Sequence, residues 1–77
     1  MLLNASITDF DFGVTYSKIT TAYAGESPSG TAGLLITYRT CIDDDRFNYQ
    51  EFKPFQSSVI YRRHVKSDFT FSAWDEK

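Results

Sequence analysis

Few residues in this chain could do chemistry, and their spacing does not favour catalysis. His64 is the only histidine and Cys41 the only cysteine. His64 lies between Arg62 and Lys66 in a run that alternates like a strand, which puts an imidazole on a wet, cationic surface rather than beside a nucleophile. Cys41 has no nearby histidine to activate its thiol and reads as a small buried hydrophobe. Asp43-Asp44-Asp45 offers carboxylates but lacks the alternating oxygen ligands, the Gly and the closing Glu of a calcium loop, so it reads as a solvated hairpin tip. Gly25 and Gly30 have the spacing of a phosphate loop, yet Thr31 stands where a lysine is required and a strand follows instead of a helix. The chain is therefore read as no enzyme, with no metal and no cofactor.

Binding chemistry is better represented. Arg62, His64 and Lys66 alternate onto one face of a strand, with Thr70, Ser72 and Trp74 expected beside them and Ile60 across from Trp74. Tyr61, on the same hairpin, is a further aromatic anchor. Cations interleaved with aromatics on a sheet face suit either a protein partner or the bases and phosphates of a single-stranded nucleic acid. A net charge of −2 argues against a general nucleic-acid binder. The charge is uneven: residues 1–45 hold six acids against two bases, and residues 46–77 hold six bases against four acids. Such asymmetry can guide self-association or a charged partner.

The elements that position these residues are read from period and punctuation. Gly33–Ile42 is the most continuous apolar run and the expected central strand, with Leu34, Ile36, Tyr38, Thr40 and Ile42 on its apolar face. Leu2–Thr8 is expected as a short first strand. A change of phase at Thr8-Asp9 then leads into an alternating strand with Phe10, Phe12, Val14 and Tyr16 on one side. Gly25–Gly33 is a loop. A tight turn at Asp44-Asp45 would set Ile42 against Phe47 and Thr40 against Tyr49, keeping the large residues on one face. Pro54 ends the following strand, although Arg46–Phe55 could hold a helical turn or two. Ser57–Lys66 and Phe69–Trp74 form the last hairpin; a loop at Lys66-Ser67-Asp68 pairs Val65 with Phe69 and brings Arg63 beside Phe71. Asp75-Glu76-Lys77 reads as a frayed tail.

Seventy-seven residues make one small β-rich domain, 1–77, which buries a modest share of its surface. The expected fold is all-β: an antiparallel meander of four to six strands forming a barrel or half-open sheet. An α+β sheet with one short helix is the alternative. Twelve Phe and Tyr residues and one Trp exceed what such a core needs, and a homodimer is expected from that excess. A single cysteine precludes internal disulfides and favours a reducing, cytoplasmic setting. No signal peptide or membrane span is visible, and no membrane partner is expected. The opening Met1 suggests a small complete reading frame. The functional expectation is a small protein-interaction module, an inhibitor or adaptor of phage or mobile-element type acting by surface occupation. Single-stranded nucleic-acid binding is the alternative.

Overall fold

The computed structural model describes residues 5–76, apart from the side chains of Tyr23, Ala24 and Glu26. Five antiparallel strands follow one another in sequence order: β1 (Gly13–Ile19), β2 (Gly33–Arg39), β3 (Tyr49–Pro54), β4 (Tyr61–His64) and β5 (Asp75–Glu76). The sheet is an open meander, with β1 and β5 at its edges. The expected class holds. The only helical segments among the described residues are short 3-10 turns at Ile7–Asp9, Thr21–Glu26 and Asp45–Phe47.

On β1, β2 and β3 the buried face is not the one that the apolar alternation suggests, whereas on β4 it is. Leu35, Thr37, Gln50, Phe52 and Arg63 share the covered side of the sheet, with Ile19, Leu35 and Phe52 as its apolar centre. Tyr61 and Trp74 pack against that centre, and Trp74 meets Phe52 edge to face with centroids 6.4 Å apart. The strand face bearing Leu34, Ile36 and Tyr38 looks the other way. Polar residues can occupy a covered face here because they satisfy one another. Gln50 donates through Nε2 to Thr37 Oγ1 (2.9 Å) and accepts through Oε1 from Arg63 Nε (2.8 Å). The Arg63 guanidinium then lies 4.1 Å from the Phe71 ring centroid and 4.4 Å from that of Trp74. Its expected place beside Phe71 is observed, and the flat cation finds aromatic faces in place of water. Burial pulls its pKa down to about 10, which leaves it charged at neutral pH.

Several boundaries move for identifiable reasons. Where the expected first strand is described, from Ala5 to Thr8, the chain instead enters the turn Ile7–Asp9, closed by a capping box in which Asp9 accepts from the Ser6 amide and Ser6 Oγ from the Thr8 amide. Leu2 to Asn4 lie outside the described residues. Phe10 is buried while Phe12 is 58 % exposed, and β1 starts only at Gly13, whose φ of 107° turns the chain into the strand. The register of the next hairpin shifts by two, so that Tyr49 faces Tyr38 rather than Thr40, and the ladder closes there instead of at Ile42–Phe47. Asn48 explains the difference. Its side chain accepts from the Cys41 amide (2.8 Å) and donates to the Cys41 carbonyl (3.2 Å), replacing a rung of the ladder and leaving Ile42 and Phe47 in a wide, exposed loop. Because the shift is even, Tyr49 still shares a face with Ile36 and Tyr38.

The last hairpin also differs. β4 begins at Tyr61, and Val65 pairs with Phe71 rather than Phe69. Phe69, with φ at 67°, sits in the left-handed turn that closes residues 66–70. An irregular stretch then lets Asp75 and Glu76 pair with Arg62 and Tyr61, so these tail residues form an edge strand instead of fraying.

Candidate interaction face

The open side of the sheet is built from the even-numbered residues of β1 and β2 and the odd-numbered residues of β3. One row across the strands runs Val14, Tyr38, Tyr49, His64, and the next runs Tyr16, Ile36, Glu51, Arg62, Asp75. Val14 and Tyr16 are exposed, Tyr38 and Tyr49 are half-buried, and Ile36 is covered by its neighbours. Lys18, Leu34 and Lys53 make a third row at one end.

Contacts within this face hold its side chains in place. The Tyr38 and Tyr49 rings stack with centroids 4.5 Å apart. Tyr38 Oη donates to Glu51 Oε1 (2.9 Å), and Arg62 Nη2 reaches Glu51 Oε2 (3.0 Å). The Arg62 guanidinium also lies 4.9 Å from the Tyr49 ring centroid. Burial, then the hydrogen bond to Glu51, pushes the Tyr38 phenol up to about 12. The result is an ordered aromatic strip with one internally neutralised acid–base pair and with Lys18, Lys53 and His64 at its margins. Order before binding lowers the entropy lost on binding.

The sequence-predicted site residues divide between the two sides. Arg62 and His64 belong to the open face. Tyr61 and Trp74 pack into the covered core instead, and Ile60 is half-buried just before β4 begins. Lys66 is exposed in the turn, donating its amide to the Thr70 carbonyl. The grouping fails because the irregular stretch after Phe71 changes the phase that would have put Trp74 beside Arg62. Tyr16, Tyr38, Tyr49 and Glu51 also lie on the open face but were not among the expected site residues, since alternation marks Tyr16, Tyr38 and Tyr49 as core.

Other candidates resolve into structure. Asp45 clamps Arg39 through both carboxylate oxygens (2.9 and 3.2 Å), and Asp44 caps the following turn and pairs with Arg46. The arginines hold both carboxyls below the usual carboxylate range, Asp44 at about 2. Ser27 accepts from the Thr31 amide and donates to its carbonyl, closing the glycine-rich loop on itself. Ser72 Oγ accepts from the His64 amide (3.0 Å) and lies 3.1 Å from its Nδ1, fastening the irregular pairing of these segments. Cys41 is a half-buried free thiol. No metal-binding group of His, Cys, Asp or Glu side chains exists among the described residues, and none of their helices is long and apolar enough to cross a membrane. A cavity of about 580 Å³ adjoins the lysine row, lined by Ile19, Gly33, Leu34, Pro54 and Phe55 together with Lys18 and Lys53. No family model, curated protein or solved structure matches the chain.

Proposed function

We propose that this chain is a small non-enzymatic interaction module that binds another protein through the open face of its sheet. The observation that carries it is the strip of exposed Val14 and Tyr16 and half-buried Tyr38 and Tyr49 on the open side of the sheet, packed around the buried Ile36. Adjacent exposed apolar residues on a rigid scaffold mark contact surfaces, and tyrosines supply large contact area at low entropic cost. Lys18 and Lys53 favour a partner that surrounds apolar anchors with acids. A role as inhibitor or adaptor in a reducing, cytoplasmic setting fits such a module, and an origin in a phage or mobile element fits its size.

Single-stranded nucleic acid is the second reading, favoured by tyrosines on a sheet face beside Arg62 and the lysine row. Against it, Arg62 is already engaged by Glu51 and the two tyrosine faces that could stack bases are stacked on each other. Salt separates the two. A protein complex should survive high salt and weaken on Tyr49→Ala. Binding of a mixed single-stranded oligonucleotide should instead fall steeply with salt and weaken on Lys18→Ala and Lys53→Ala.

A further inference from the structure

The open edge of the sheet is as unusual as its open face. β1 has seven residues and is hydrogen-bonded to β2 on one side, with no described strand on the other. It carries no proline and a single charge, Lys18, near its end. The opposite edge is protected by brevity, since β5 has two residues, both acidic. A long, nearly uncharged edge strand is a template for another strand.

We propose that the occupant of this edge is a second copy of the chain, paired antiparallel β1 to β1 about a two-fold axis through Thr15. The residues of β1 fit themselves in that register. Val14 of each copy stands opposite Tyr16 of the other on the open face, an aromatic against a β-branched side chain, which is a favourable cross-strand pair. Thr15 meets Thr15 on the covered face, where threonine pairs can hydrogen-bond. That contact extends a row already present in each copy: Arg63, Gln50 and Thr37 form a hydrogen-bonded chain, and Thr15 is the register partner of Thr37 at its free end. Two copies would make this polar row continuous. Charge is complementary as well. Asp11 precedes β1 and Lys18 lies near its end, so antiparallel pairing brings the acidic end of each strand to the basic end of the other. The dimer doubles the tyrosine strip into one surface across ten strands.

An edge contact of this length is well below the area of a standard interface, so association in the micromolar range or weaker is expected. Light scattering over a range of concentrations should show the mass rising from one chain toward two. Tyr16→Lys, at a position 66 % exposed and therefore tolerant, should keep the mass at one chain. Register is read by cysteine pairing in a Cys41→Ser background: Thr15→Cys should form a disulfide-linked dimer on mild oxidation, and Ser17→Cys should not, since its expected partner is Gly13. A wild-type mass fixed at one chain would overturn the proposal and leave the edge to a foreign strand. A dimer indifferent to Tyr16→Lys, or equal cross-linking through Ser17→Cys, would overturn it too.

Discussion

Tyr38 and Tyr49 stand directly opposite each other on β2 and β3, their rings stacked with centroids 4.5 Å apart and planes 23° from parallel. Tyr38 also donates its phenolic proton to Glu51, two residues along β3 from its stacking partner. Each tyrosine thereby has one fixed face and one orientation, which turns an apolar stripe into a shaped surface. The phenol reports on this directly. Its folded pKa, at about 12, lies above the ordinary value of 10.0, so its contribution to stability is complete below pH 10.0 and is lost as pH rises toward 12. An ultraviolet titration should find a tyrosine step well above pH 10.0, and Glu51→Gln should lower that step. A titration in which every tyrosine ionises near 10.0 would exclude the Tyr38–Glu51 contact.

The polar row beneath the sheet predicts a strong coupling. Gln50 is fully buried and its amide serves Thr37 and Arg63 at once. Gln50→Leu removes the Gln50 acceptor of the Arg63 Nε–H and should cost about 2–4 kcal/mol, since a buried charged group loses one of its hydrogen bonds. Combining it with Arg63→Met should recover much of that loss. Denaturant unfolding of the two single variants and the double variant measures the coupling, and strictly additive effects would show that the two side chains do not act together.

Among the four glycines, only Gly33 has other atoms packed where a side chain would begin. A Cβ there would collide with the Lys53 carbonyl oxygen and lie 2.6 Å from Phe52 Cζ. Gly33→Ala should therefore destabilise by at least about 2 kcal/mol, through overpacking rather than strand propensity. Gly25→Ala, with nothing within 4 Å of the added carbon, is the control and should be near neutral in thermal melting.

Acid sensitivity should trace to the wide loop between β2 and β3. Arg39 holds the Asp45 carboxyl below its ordinary 3.8, so the stability it contributes is present above 3.8 and lost as pH falls through the lower folded value. Asp45→Asn should lower the melting temperature at neutral pH and flatten its decline below pH 4. An unchanged acid limb would assign that decline to Asp44 or Asp68, whose carboxyls are also held low by hydrogen bonds.

The class and meander order were legible because strand period, turn residues and short connections are local properties. Which face of β1, β2 and β3 is covered was not. Leu34, Ile36 and Tyr38 look like core by composition, whereas Thr37, Gln50 and Arg63 become core only through hydrogen bonds made across three strands. Arg63 beside Phe71 was legible because a long cation facing a core has few alternatives. The early closure at Tyr38–Tyr49 was hidden in one side chain, Asn48, whose role is invisible until Cys41 lies next to it. Of the grouped residues, Arg62 and His64 on β4 do lie on the open face, whereas Trp74 leaves it through an irregularity that no periodicity announces.

The measurement that tests the account most directly is capture on the immobilised protein at high salt, with wild type, Tyr49→Ala and Phe55→Ala compared side by side. Tyr49 lies in the tyrosine strip, whereas Phe55 is an exposed aromatic away from that strip, at the cavity beside the lysine row. The account predicts a protein held by wild type and Phe55→Ala but lost by Tyr49→Ala. Once purified, that protein should perturb the amide signals of Tyr16, Ile36, Tyr38 and Arg62. Capture unaffected by Tyr49→Ala, or perturbation confined to other surfaces, would contradict it. So would binding of an oligonucleotide alone.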